Sequence, residues 1–343
     1  MRLLTRFLTA LVLVLVGCLD SDEIDDDDDG DEPEIADEPG PIESADSTAD
    51  DDLTAPPTAE AADRFGVRMI YPTVSGGREW FLPANAQTGN AEWSPSNGSR
   101  GRLTATGEAG VFRVRGGPRL PVKPGSKAWF RNVEVTAYYR YRRSLTGDDE
   151  ISPLGIHGFQ ILVRGGAHLT GKRPASGLDR PPAGTVAGPG YPFSSGQVNA
   201  HCIAASLHGY ADVDGRVRFK KEISHTAGYT GGKAEKKPFP GAGPVPTQKW
   251  FGYKLIVRNQ DHDRSVHMEI WMDLEANGNW KRITQLDDTG GWGPSGDLDG
   301  CGGAPFRYRS DQRITWAGPN VYFRFDNLET DVKWMSAREI APL

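Results

Sequence analysis

"VEVTAYYRYRR", residues 133–143, decides how this chain is read. Its odd positions, Val133, Val135, Ala137, Tyr139 and Tyr141, are apolar or aromatic, and its even positions, Glu134, Thr136, Tyr138, Arg140 and Arg142, are mostly polar. Strict period two places successive side chains on opposite faces of a pleated strand, so this segment buries one face and holds charge on the other. The same beat recurs down the chain. Phe159, Ile161 and Val163 oppose Gln160, Leu162 and Arg164; Val217, Phe219 and Ile223 oppose Arg218, Lys220 and Glu222. Val266, Met268, Ile270 and Met272 oppose His267, Glu269, Trp271 and Asp273; Val321, Phe323 and Phe325 oppose Tyr322, Arg324 and Asp326.

Period-two patterns predict strands at 102–106, 110–115, 128–143, 157–164, 201–208, 215–224, 250–259, 264–273, 279–286, 312–316, 319–326 and 331–340, and no segment has helical periodicity. Asp214-Gly215, Asn277-Gly278 and Gly318-Pro319 supply turn chemistry beside them. Many antiparallel strands without helices predict an all-β fold, a two-sheet sandwich of jelly-roll type over 64–343.

The N-terminal part is different. "MRLLTRFLTALVLVLVGC", residues 1–18, has basic residues at Arg2 and Arg6, an apolar run and Leu-Val-Gly-Cys, the pattern of an export signal whose Cys18 becomes a lipid attachment site. Residues 19–63 hold twenty Asp or Glu and no Lys or Arg, which predicts a disordered, self-repelling acidic linker. These features place the protein in a bacterial cell envelope, lipid-anchored. The whole chain has 46 acidic and 39 basic residues, but residues 64–343 keep 26 acidic and 37 basic, a formal charge of +11. A basic exported domain calls for a polyanionic partner, an acidic polysaccharide rather than nucleic acid. The two cysteines left after Cys18, Cys202 and Cys301, are expected to form a disulfide, which closes a loop of about a hundred residues and stabilises by ~4–5 kcal/mol on chain-entropy reasoning.

The polar strand faces are candidate binding surfaces. If one sheet gathers Tyr138, Arg140, Arg142, Arg218, Lys220, Glu222, His267, Glu269, Trp271, Tyr322 and Arg324 with Gln160 and Arg164, the result is a cationic, aromatic-lined groove suited to an acidic glycan. Ordinary alternation on two sheets would instead scatter them.

"VHMEIWMDLEANGNWKRITQLDDTGGWG" (266–293), "DGCGG" (299–303), "DQRITWAGPNVYFRFDN" (311–327), "VKWMSAREI" (332–340) and "GRVRFKKEISHTAGY" (215–229) resemble exported concanavalin-A-like jelly-roll proteins related to polysaccharide lyases and laminarinase-type glucanases. The resemblance covers roughly residues 128–343. It implies β-elimination on a uronate chain, with Gln160 and Arg164 neutralising the carboxylate, His225 as base and Tyr229 as acid, His157 and His168 being alternative bases. Arg218, Lys220 and Lys221 would hold neighbouring sugars, although Lys221 and His225 share the core-side parity of their strand and reach a groove only through a bulge. A non-catalytic carbohydrate-binding module shares the same groove. Glycoside hydrolysis fits less well, because the Glu-x-Asp-x-Glu of such glucanases reads Glu269-Ile-Trp-Met-Asp273 here. No cofactor is required. A structural Ca²⁺ could be held by Asp287, Asp288, Asp297 and Asp299, whereas the Asp273-x-Glu275-x-Asn277-Gly278 stretch reads better as a hairpin turn.

Overall fold

A computed structural model describes residues 61–86, 101–122, 129–147, 157–165, 206–222, 230–292, 313–318 and 320–343. Cys18 with its leader, the linker through residue 60, His168, Cys202, His225, Tyr229, Asp297, Asp299 and Cys301 lie outside the described residues.

Among the described residues fourteen strands form two antiparallel sheets: β1 (Glu79–Phe81), β2 (Gly101–Ala105), β3 (Phe112–Gly116), β4 (Arg119–Val122), β5 (Val133–Ser144), β6 (Gly158–Gly165), β7 (Ser206–Asp212), β8 (Val217–Glu222), β9 (Lys233–Lys236), β10 (Trp250–Gln260), β11 (Ser265–Asp273), β12 (Lys281–Asp288), β13 (Asn320–Asp326) and β14 (Leu328–Glu339). An eight-stranded sheet has the order β12-β11-β10-β5-β14-β3-β2 with β1 also on β14, and a six-stranded sheet has the order β4-β13-β6-β7-β8-β9. The chain passes repeatedly from one sheet to the other, as at β3 to β4 to β5 to β6 and β12 to β13 to β14. The expected all-β jelly-roll sandwich is the architecture found.

The inward faces are those that alternation marked. Val133, Val135, Ala137 and Tyr139 of β5, Tyr253, Leu255 and Val257 of β10, and Val266, Met268 and Ile270 of β11 meet Phe159, Ile161 and Val163 of β6, Phe219 of β8, and Val321, Phe323 and Phe325 of β13 in one buried core. Gly209 on β7 lets the sheets approach: a Cβ there would lie 2.6 Å from the Tyr253 hydroxyl and 3.0 Å from Leu255. The β7–β8 hairpin turns at Asp214-Gly215, with Gly215 at φ 91°, and Asp212 Oδ2 lies 2.8 Å from Arg218 across it. The Asn277-Gly278 turn is a hairpin held by Asp273, whose carboxylate accepts the Asn277 and Gly278 amides at 3.1 and 2.8 Å.

Some expectations are corrected. Residues 313–318 contain no strand, only a bridge from Gly318 to Phe130. Strands β1, β4 and β9 were not expected: one is three residues long, one contains Pro121, and Lys-Ala-Glu-Lys on the sheet edge has no apolar beat. Ala62 and Asp63, acidic-linker residues by composition, belong to the folded part: Ala62 bridges Arg68, and Asp63 accepts the Phe65 and Val67 amides.

That segment, 61–82, lies over the outer face of the eight-stranded sheet. Phe65, Val67, Ile70 and Tyr71 pack there with Tyr138, Ile256, Trp280 and Trp334 in a second apolar cluster. Beneath it Glu134 is fully buried. It accepts Lys254 Nζ at 2.9 Å, the Tyr71 amide at 3.0 Å, and lies 2.6 Å from an Arg338 guanidinium nitrogen. Burial alone would raise the Glu134 carboxyl, but Lys254 and Arg338 outweigh it and hold it below the usual carboxylate range.

Candidate functional site

The register of the six-stranded sheet lines up two cross-strand rows on its outer face. One row runs Arg119, Arg324, Gln160, Tyr210, Arg218 across β4, β13, β6, β7 and β8. The next runs Tyr322, Leu162, His208, Lys220 across β13, β6, β7 and β8. Directly opposed residues in adjacent strands are close enough for side-chain contact, so the first row is a continuous polar and aromatic strip and the second is one interrupted by Leu162.

The contacts within the strips are specific. Gln160 Nε2 donates to Asp326 Oδ2 at 2.5 Å, and Arg324 Nε donates to both Asp326 oxygens at 2.9 and 3.1 Å. Gln160 Oε1 is buried and accepts no hydrogen bond among the described residues. The rings of His208 and Tyr210 stack at 5.6 Å and 9°, with Lys220 Nζ 5.1 Å from the Tyr210 ring. Ser206 Oγ is 2.6 Å from His208 Nε2 and donates to Glu222 at 3.1 Å, and Glu222 lies 3.4 Å from the same His208 nitrogen. Because Ser206 and Glu222 converge on one ring nitrogen, this is not the relay of a nucleophilic triad, in which acid and nucleophile sit on opposite nitrogens.

Electrostatics sets two of these groups apart. Burial depresses the His208 imidazole, with Arg324 and Lys220 adding to it and Glu222 opposing, so its neutral form is favoured. Burial also pushes the Tyr210 phenol up to about 12, keeping its proton in place. Exposure grows toward one edge of the sheet. Gln160, Leu162, His208 and Glu222 are fully buried, Arg218 and Lys220 are half-buried, and Lys233, Glu235 and Lys236 on β9 are exposed. The strips therefore open to solvent at the β8–β9 side.

The sequence-predicted residues divide between the two sheets. Gln160, Arg218, Lys220, Glu222, Tyr322 and Arg324 share the face just described. Tyr138, Arg140, Arg142, His267, Glu269 and Trp271 lie on the outer face of the other sheet, so the single groove expected from the polar faces does not form. There Tyr138 donates to Asp273 at 2.8 Å, and Arg140 and Arg142 bond Asp331. His267 is clamped by Asp287 at 2.6 Å and Glu269 at 3.0 Å, and Glu269 also takes the Tyr71 hydroxyl at 2.7 Å and the Trp271 indole N–H. Burial opposes the charged imidazole, but its bonds to Glu269 and Asp287 prevail and raise His267 above its usual range.

Two assignments change outright. Lys221 points into the sandwich, fully buried, with Nζ 2.9 Å from buried Asp288 of β12 and 5.1 Å from the Trp292 ring; it cannot hold a sugar. Arg164, at φ 56°, leaves the strand face: Nε donates to the Arg131 carbonyl at 2.8 Å and Nη1 to the Ile314 carbonyl, so it does not stand beside Gln160 as a carboxylate neutraliser. Asp287 and Asp288, offered for Ca²⁺, are engaged by His267 and Lys221, and no group of three or more His, Cys, Asp or Glu is arranged for a metal ion among the described residues. His157 is turned to the Asn327 carbonyl at 3.2 Å.

The sequence reading missed His208 and Tyr210 as members of this face, and it placed Asp326 on the polar side of its strand without counting it among the candidate residues. "SLHGYAD", 206–212, carries the signal: Ser206, His208, Tyr210 and Asp212 alternate with Leu207, Gly209 and Ala211.

No protein-family model and no curated protein matches the chain. Among solved structures it is similar to the Ca²⁺-bound exoplasmic/lumenal domain of VIP36, at 10% identity over 77% of this chain and 91% of that one, TM-score 0.37. It is similar also to lectin II from Ulex europaeus, at 8% identity over 76% and 97%, TM-score 0.34. A Bacillus subtilis protein of unknown function with a galectin-like fold matches at 12% identity over 78% and 90%, TM-score 0.29. At these TM-scores the likenesses carry no weight for the site, which rests on strand register and side-chain geometry.

Proposed function

We propose that the outer face of the six-stranded sheet binds an acidic, uronate-containing polysaccharide. The observation that carries this reading is the pair of cross-strand rows from Arg324 to Arg218 and from Tyr322 to Lys220, which open to solvent at their Arg218 and Lys220 ends. The Arg218 guanidinium and the Lys220 ammonium at the open side supply charge for the carboxylates of such a ligand. The formal charge of +11 on residues 64–343 favours association with such a polymer. Membrane attachment through lipid on Cys18 would hold this domain at the envelope; Cys18→Ser is expected to move the protein from the detergent phase to the aqueous phase on partitioning.

β-Elimination is the second reading, favoured by the stacked His208 and Tyr210 beside Gln160. A histidine kept neutral can accept the proton next to a uronate carboxylate, and a phenol that keeps its proton can deliver one to the departing oxygen. In this reading His208 and Tyr210 take the base and acid roles that the resemblance implied for His225 and Tyr229.

The test titrates the full chain with polygalacturonate and alginate while following the absorbance of unsaturated products. Binding that weakens about tenfold in Lys220→Met, with no absorbance change in the wild type, supports a binding module. An absorbance rise that disappears in His208→Asn and Tyr210→Phe supports the lyase. Binding unaltered by Lys220→Met and Arg218→Gln together removes this face from the account.

A further inference from the structure

The outer face of the eight-stranded sheet is only partly covered by residues 61–82. Beyond that cover, toward β3, the register brings Arg113, Asp331, Arg140 and Trp250 into one row across β3, β14, β5 and β10. Asp331 is fully buried and takes three guanidinium groups, from Arg113, Arg140 and Arg142, each at 2.9 Å. One carboxylate facing three cations leaves a local excess of positive charge. Glu108, exposed and bonded to Arg140 at 2.9 Å, and Glu329, 3.9 Å from Arg113 and 3.8 Å from Arg142, offset it, so the surplus positive charge of the patch is that of the neighbouring Lys333.

Next to this row β14 departs from regular pairing. Its register shifts between Lys333 and Ser336, and Trp334 adopts φ 52°. A bulky residue in the left-handed region is an outlier that the surrounding structure must hold in place. The effect is to seat two consecutive side chains on the outer face, while Met335 returns to the core. Lys333 Nζ then stands 3.8 Å from the Trp334 ring, 4.5 Å from Trp250 and 5.9 Å from Tyr138. Arg140 lies 4.6 Å from the same Trp250 ring. The Lys333 ammonium has three donors and, among the described residues, makes no hydrogen bond or ion pair, although it is only half-buried. Burial, reinforced by Arg140 and opposed by Glu108, holds its titration below the usual lysine range.

We infer that Lys333, with Arg140, Arg142 and Arg113 around it, forms a second anion-binding surface, on the sheet opposite the first, for the carboxylate or sulfate groups of an acidic polysaccharide. The aromatic rings hold Lys333 and Arg140 in position, and an anion on the ammonium supplies the counter-charge that the protein withholds. The ligand class rests on the function proposed above; the location does not. The outer faces of a sandwich point in opposite directions, so one copy of the protein with two such surfaces bridges two polymer strands.

The experiment uses the full chain with polygalacturonate and dextran sulfate as probes, neutral dextran as control, and vesicles containing phosphatidylglycerol. Affinity and turbidity from cross-linking are measured for wild type, Lys333→Met, Lys333→Arg, Arg113→Gln and Lys220→Met, each checked for an unchanged thermal melt. The expected result is cross-linking by the wild type, its loss in Lys333→Met with affinity about tenfold lower, and its recovery in Lys333→Arg. If Lys333→Met and Arg113→Gln bind and cross-link as the wild type does while Lys220→Met binds poorly, the second surface is overturned and the first stands. If Lys220→Met has no effect and Lys333→Met loses binding, the second surface holds and the first fails. Loss of vesicle binding alone in Lys333→Met identifies a membrane as the occupant and overturns the polysaccharide.

Discussion

The two outer faces of this sandwich hold comparable sets of charged and aromatic side chains, and they treat them differently. On the eight-stranded sheet the centre is covered by residues 61–82, which bury the charged trio Glu134, Lys254 and Arg338 and hydrogen-bond to it. His267 on that face is clamped between two carboxylates and favours its charged form. On the six-stranded sheet His208 is bonded to a hydroxyl and one carboxylate, has Arg324 and Lys220 nearby, and favours its neutral form. Charge at the covered centre of the first face is matched inside the protein, whereas the second keeps a neutral imidazole beside a buried amide oxygen that has no partner among the described residues. The covered centre holds its charges by pairing them with one another, whereas the six-stranded face leaves Arg218 and Lys220 half-buried at an edge that a ligand can reach.

The largest effect that separates the faces is expected from their buried carboxylates. Glu134→Gln strips the counter-charge from Lys254 and Arg338 at once and should cost about 3–5 kcal/mol in urea unfolding. Glu222→Gln, beside a hydroxyl and a neutral histidine, should cost about 1–3 kcal/mol. Equal losses would erase the distinction.

Sheet apposition gives the next test. Gly209→Ala drives a methyl toward Tyr253 and Leu255 between the sheets, and Gly252→Ala drives one into the Trp280 ring at 2.5 Å on the covered outer face. Each is expected to lower stability by about 1–3 kcal/mol, but only Gly209→Ala should disturb polymer binding, through β7.

The smallest effects, and the sharpest in sign, come from the histidines. His267 has a raised folded pKa, so its contribution is complete below pH 6.5 and is lost as pH rises through the folded value; the deficit of His267→Asn should shrink from pH 6 to pH 9. His208 has a depressed folded pKa, so its neutral form stabilises above pH 6.5 and that contribution is lost as pH falls through the folded value. The deficit of His208→Asn should shrink toward pH 5. Urea titrations at several pH values that show both deficits moving the same way would contradict the assignment.

Much of this was legible in the sequence, and the limits have physical causes. Period two reports which face of a strand a residue occupies, so the inward set from Val133 to Tyr141 and from Phe159 to Val163 was readable locally. It does not report which sheet a strand joins, because pairing is non-local, and Tyr138 and Gln160 were therefore assigned to one groove though they lie on opposite sheets. Lys221 had core parity, but its partner Asp288 comes from the other sheet, sixty-seven residues away. His208 and Tyr210 were hidden because the core side of β7 is built from Gly209 and Ala211, too small to produce a strong apolar beat. Lys333 and Trp334 share a face only through a bulge, which alternation cannot foresee.

The central claim is that the six-stranded face binds the polymer. It is tested most directly by lysine acetylation footprinting of the full chain with and without polygalacturonate, read by mass spectrometry at Lys220, with exposed Lys281 of β12 as the reference. The account requires Lys220 to become protected while Lys281 reacts as before. Unchanged reactivity at Lys220 under conditions where the polymer is bound would contradict it.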